Sequence, residues 1–170
     1  MEERASTSSA APTSDQSHTL LAVDLGIRSG LALYGRDGRL CWYRSKNFGN
    51  SAQLRRGVHT ILAELPTLAW LILEGGGELA EIWQREAEYR QVPVYQISAE
   101  EWRQLILYPR QQRTGLKAKQ TADTLARRII EWSDIAKPTA LRHDTAEAIM
   151  VGLWGVLEVG WLERLPSEIK

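Results

Sequence analysis

From Thr19 onward the chain alternates short apolar runs with turn residues. Thr19-Leu20-Leu21-Ala22-Val23-Asp24-Leu25 has the character of a strand and ends at the punctuation of Gly26 and Gly30. Leu31 to Tyr34 predict a second strand, Arg36-Asp37-Gly38-Arg39 a hairpin turn, and Leu40 to Tyr43 a third strand, because Asp-Gly between apolar runs is a strong hairpin signal. Beyond Ser51 the period changes. Leu54, Val58, Ile61, Leu62 and Leu65 fall on one face of a helix that Pro66 closes. Ala69 to Leu73 predict another strand, stopping at Glu74-Gly75-Gly76-Gly77, and a helix from about Glu78 to Arg90 leads to a strand from Val92 to Ile97. Ser98 with Glu101 three residues on forms a capping box that opens the next helix.

Tyr108 to Lys119 contains Pro109 and Gly115 and no acidic residue, and is expected to be a basic loop. Thr121 to Trp132 repeats helical spacing through Leu125, Ile129 and Trp132, and His143 to Leu165 predicts a long apolar helix stopped by Pro166. The order is three strands, helix, strand, helix, strand, then helices. It describes one α/β domain on a mixed sheet, in which an antiparallel meander is extended by parallel strands added through crossovers.

Composition narrows this picture. Residues 1–18 are rich in Ser, Thr, Ala and Pro and are expected to form a disordered tail, which places the folded domain at 19–166. Glu2, Glu3, Asp15 and a single Arg in that tail argue against an organelle transit peptide. Cys41 is the one cysteine in 170 residues, so neither an internal disulfide nor a thiolate zinc cluster can form, which fits a reducing, cytoplasmic setting. The most apolar stretch, Ala146 to Trp161, is interrupted by Glu147 and Glu158 and falls short of a membrane span.

Several acidic residues stand where an apolar element ends. Asp24 closes the first strand, where an unpaired buried carboxylate would cost several kcal/mol, and Glu74 closes the fourth in the same way. Groups at such strand ends face the crevice where α/β sheets bind ligands. Asp144 and Glu147 are three apart in Arg142-His143-Asp144-Thr145-Ala146-Glu147-Ala148 and so share a helix face. Taken singly, each has a structural explanation: a turn residue before Gly, or a carboxylate complementing a helix dipole. Together they make an oxygen-only ligand set of the kind that binds Mg²⁺ or Mn²⁺. Two such ions, roughly 4 Å apart, activate a water and steady the leaving oxygen of a phosphodiester.

At these residues the sequence resembles the RuvC-like Holliday junction resolvases of the retroviral integrase/RNase H-like superfamily. The resemblance is carried by Asp24-Leu-Gly-Ile-Arg-Ser-Gly, by Leu73-Glu74 and by His143-Asp144-Thr145-Ala146-Glu147-Ala148, over about Leu20 to Gly155. It implies a five-stranded mixed sheet flanked by helices, a homodimer, and Mg²⁺-dependent nicking of four-way DNA junctions in recombination and repair, in a nucleoid-associated protein. It makes Asp24 the first-strand metal ligand, Glu74 the second acid, and Asp144 and Glu147 the paired acids of the last helix, with His143 placed to ligate a metal or activate water. One departure is visible: the family's aromatic after the second acid is replaced by Gly75, Gly76 and Gly77. The nearest aromatic, Trp83, is expected to be core, and the seven Trp residues are expected to serve packing and dimer contacts and not as stacking platforms.

Charge is the last constraint. Lys and Arg number 21, as do Asp and Glu, and the sequence pI is near 6.8, which by itself gives no sign of a nucleic-acid partner. The balance is uneven along the chain. Arg28 to Ala63 carries seven basic residues against Asp37, Arg103 to Arg128 seven against Asp123, while Glu74 to Glu101 holds seven Glu and two Arg. Arg28, Arg110, Arg113, Lys117 and Lys119 are the candidate phosphate contacts, which would recognise the shape and backbone of branched DNA more than its base edges. Three alternatives stay open. A YqgF-like nuclease would act on ribosomal RNA, an actin-like ATPase shares the fold but needs two lobes, and a non-catalytic module would bind nucleic acid without cutting it.

Overall fold

The computed structural model describes residues 18–111 and 114–170; residues 1–17 of the expected tail, and Arg113, lie outside the described residues. Strands β1 (Thr19–Asp24), β2 (Arg28–Gly35) and β3 (Leu40–Asn47) form the antiparallel meander. β4 (Leu68–Glu74) pairs with β1 in parallel, and β5 (Val94–Ile97) pairs with β4 in parallel. The sheet order is β3-β2-β1-β4-β5, the five-stranded mixed sheet expected of an RNase H-like fold.

Helices cover both faces. α1 (Ser51–Ala63) and α2 (Gly77–Tyr89) pack on one side, and α3 (Ala99–Ile106), α4 (Gly115–Trp132) and α5 (His143–Glu158) on the other. Central β1 is therefore buried twice, which is why it reads as a continuous apolar run rather than an alternating one. Its Leu20 and Ala22 face α5, and Leu21 and Val23 face α1 and α2. Trp83 and Trp102 are wholly buried, Trp154 nearly so, and the other four Trp residues pack partly buried against the two cores.

Several boundaries differ from the sequence expectation: β2 spans Arg28–Gly35 and β5 begins at Val94, and three further differences have a visible reason. β3 continues to Asn47 because it stays paired with β2, although its outward Arg44 and Lys46 dilute the apolar signal. α4 starts at Gly115, since the Thr114 hydroxyl accepts the Lys117 N–H at 3.1 Å and caps the first turn; Lys117 and Lys119 thus ride on a helix and not in a loop. α5 ends at Glu158, not Leu165. Gly160 sits at φ 76°, and the Trp161 N–H donates to the Val156 carbonyl at 2.9 Å, a Schellman closure that turns the chain away before Pro166. The capping box of α3 is formed as expected, with the Ser98 N–H donating to Glu101 Oε2 at 2.6 Å.

Candidate metal centre

Asp24 and Glu74 are register partners at the carboxyl ends of the adjacent parallel strands β1 and β4. The alternation that turns Leu20, Ala22 and Ile72 toward α5 also turns these two carboxylates that way. α5 runs across this face and brings Glu147, one turn in, over the strand ends. Each of Asp24, Glu74 and Glu147 offers an oxygen, and these three oxygens lie within 4.8 Å of one another. Among the described residues this is the one group of three or more His, Cys, Asp or Glu side chains so gathered.

The cluster is electrostatically unfavourable by itself. Asp24 is pushed up to about 8, chiefly by burial and then by the negative charges of Glu74, Glu147 and Asp144, with Lys119 pulling the other way. Glu74 is pushed up to about 7 by burial and by Glu147, opposed by Arg103. Trp102 turns its indole N–H toward Glu74, favouring the ionised form, without closing a regular hydrogen bond. Glu74 Oε2 and Glu147 Oε1 are buried and accept no hydrogen bond, in an interior where buried polar atoms are normally satisfied. An all-oxygen set with orphaned lone pairs and mutually repelling charges fits a hard divalent cation such as Mg²⁺ or Mn²⁺.

Of the residues read from sequence as catalytic, the structure brings three together and holds two beside them. Asp144 does not join the cluster: its Oδ2 accepts a 2.6 Å bond from the Ser45 hydroxyl on β3, and its Oδ1 accepts the Thr145 N–H at 2.8 Å. Its charge still reaches Asp24. His143 is exposed at the first turn of α5. Arg28, Arg110, Lys117 and Lys119 are exposed, with the Arg110 guanidinium 5.7 Å from the Tyr108 ring centre. Gly30 permits the close fit of β2 to the start of α5, because a Cβ there would collide with the Asp144 carbonyl.

Two site residues escaped sequence reasoning. Arg103, on α3, sends Nη2 to within 3.5 Å of Glu147 Oε1, and Ser45 restrains Asp144. In the sequence Arg103 is one base in a basic segment and Ser45 one polar residue past the apolar part of β3; neither has a spacing signature.

A mixed five-stranded sheet with carboxylates on its central strands and on the last helix defines an RNase H-like fold carrying a candidate metal centre. No protein-family model matches the chain, and no curated protein does. Among solved structures, the chain resembles Thermus thermophilus RuvC in complex with a Holliday junction substrate, at a TM-score of 0.57 and 16% identity over 84% of this chain and 97% of that one. A second structure of Thermus thermophilus RuvC matches at 0.57 and 15% identity over 84% and 96%. The likeness is one of fold.

Proposed function

We propose that this protein is a divalent-metal-dependent endonuclease that cuts four-way DNA junctions, acting as a homodimer whose two sites nick opposing strands. The observation that carries this reading is the convergence of Asp24, Glu74 and Glu147 at the carboxyl edge of an RNase H-like sheet. Asp24, which feels every other acid of the site, would hold the metal together with Glu74 and Glu147. When bound, Mg²⁺ or Mn²⁺ ions supply an activated water and charge stabilisation for the leaving oxygen.

The chain's own residues do the rest. Burial on the α5 face keeps the three carboxylates in fixed orientations, and Arg103 restrains Glu147 from the α3 side. Asp144, held by Ser45, lies within electrostatic reach of the cluster as a further acid. His143, next to it, is the proposed water-side group. Lys119, whose charge acts on Asp24, stands with Arg28, Arg110 and Lys117 as a backbone phosphate contact; Arg113 has the same proposed role and lies outside the described residues.

The test is incubation with a synthetic four-way junction, a linear duplex and a structured RNA, with and without Mg²⁺ or Mn²⁺, beside Asp24→Asn and Glu74→Gln variants. Metal-dependent cutting of the junction alone, lost in both variants, is the expected result. A junction that survives with metal, or an Asp24→Asn protein that cuts like the parent, overturns the reading. Cutting of the RNA instead transfers the same centre to an RNA substrate.

A further inference from the structure

An open recess is lined by Arg28, Leu141, Arg142, His143 and Asp144, and Asp144 links it to the carboxylate cluster through its charge on Asp24. Its shape follows from contacts already described. Gly30 lets β2 press against the first turn of α5, and Ser45, the register partner of Gly30 on β3, bonds Asp144 from the same side. This grip carries Arg28, at the start of β2, to the same recess as Arg142 and His143, which open α5.

The basic groups there are little used within the protein. The Arg28 and His143 side chains make no hydrogen bond or ion pair among the described residues. Arg142 reaches only Asp144, with Nε 4.0 Å from Oδ1 and its side chain 58% exposed. Arg90 on Glu86, Arg127 on Asp123 and Arg39 on the Trp132 carbonyl and ring are engaged, whereas Arg56, Arg85 and Arg164 are exposed like Arg28; what distinguishes the recess is that its basic groups gather around Asp144. Arg28 and His143, with Arg142 loosely paired to Asp144 on the inner wall, surround one recess and form a site for a monoanion that also leaves room for a neighbouring polar group.

We infer that this recess is a second phosphate subsite, which holds a backbone phosphate of the nucleic acid flanking the phosphodiester presented to Asp24, Glu74 and Glu147. The inference rests on the nuclease reading and deepens it. Arg28 and Arg142 clamp the flanking phosphate by charge-assisted hydrogen bonds, and His143 closes the recess from the helix start. The arginine pair fixes where the strand enters the carboxylate cluster, so its contribution is to binding and register, whereas His143 keeps the water-side role proposed above.

The experiment is anisotropy of a fluorescein-labelled four-way junction in EDTA, so that nothing is cut, over a series of salt concentrations. The parent is compared with an Arg28→Gln/Arg142→Gln double variant and an Arg28→Lys/Arg142→Lys double variant. A third variant, Arg85→Gln/Arg164→Gln, removes two exposed charges elsewhere. The Gln variant at the recess is expected to bind roughly five- to tenfold more weakly, with the slope of log K against log salt smaller by about 1. The Lys variant keeps most of the slope, the remote variant keeps all of it, and Mn²⁺ binding measured by calorimetry is unchanged in all. Equal affinity and slope in the parent and the recess Gln variant overturn the subsite alone, as does a Lys variant that loses as much as the Gln variant. A parent that binds neither junction, duplex nor RNA overturns the nuclease reading together with the subsite.

Discussion

Glu86 and the carboxylates at the carboxyl edge of the sheet, all partly buried, differ in one respect. Between α1 and α2, Glu86 accepts a 2.8 Å bond from Arg90 Nε and stands 2.9 Å from His59 Nδ1, so its Oε1 is served twice. Its side chain is 19% exposed, close to the 15% of Glu147. At the carboxyl edge of the sheet, Glu74 and Glu147 each keep a buried oxygen with no hydrogen bond, the Glu147 oxygen meeting only the Arg103 guanidinium at 3.5 Å, and Asp24 joins them with a third carboxylate. The exposures are similar and the partners are not. A carboxylate that stabilises a fold is satisfied by the fold, whereas one whose lone pairs are left converging on a common point is arranged for something brought from outside.

The strongest way to break this contrast is to neutralise each group in turn. Asp24→Asn or Glu74→Gln should lower metal-dependent cleavage by at least about a hundredfold, since residues that merely support metal ligands are already worth roughly 10–100-fold. Glu86→Gln should leave cleavage intact and cost about 1 kcal/mol in urea unfolding. Equal loss of cleavage from the two groups would erase the distinction.

Arg103 tests the boundary between them, because it approaches Glu147 of the cluster from α3. Arg103→Gln should reduce cleavage by about tenfold and alter Mn²⁺ affinity measured by calorimetry, because Glu147 loses its restraint. An unchanged Mn²⁺ isotherm would reduce Arg103 to packing against Trp102, whose ring centre is 5.3 Å from its guanidinium.

Acidity sharpens the comparison further. The folded values of Asp24 and Glu74, about 8 and about 7, lie above their ordinary 3.8 and 4.5, so the folded state holds these protons more tightly than the unfolded chain does. That contribution is fully present at pH values below the ordinary range and is lost as pH rises through about 7 and 8. The metal-free protein should therefore melt several degrees lower at pH 9 than at pH 6, with the difference reduced in Asp24→Asn and reversed by added Mg²⁺. A melting temperature in EDTA that rises over this interval would contradict the electrostatic account.

The smallest expected effect is that of Ser45→Ala. Losing a hydroxyl bond to a partly buried carboxylate should cost about 1–2 kcal/mol and leave Asp144 free to turn, changing cleavage modestly. Chemical denaturation beside a cleavage time course reads both effects.

Most of the architecture could be read along the chain, because buried strands and amphipathic helices write their environment into local spacing. The β2–β3 hairpin at Asp37-Gly38, the Ser98 capping box and the doubly buried β1 are all local patterns. Elements set by distant partners were harder to delimit. β3 extends through polar residues because β2 continues beside it. The early start of α4 is local but faint, since one threonine caps a turn with little apolar signal.

The same division holds at the site. By itself, the sequence determined that Asp24 and Glu74 end apolar strands and that Asp144 and Glu147 share a helix turn, since strand parity and helical period are properties of neighbouring residues. Only the tertiary structure decided that Glu147, and not Asp144, completes the cluster, that Ser45 holds Asp144 aside, and that Arg103 reaches in from α3. The physical reason is one of range. Periodicity specifies the face on which a side chain stands, whereas its partner is chosen by the packing of α5 against β1 and β2, and of α3 against α5, between segments up to about a hundred residues apart.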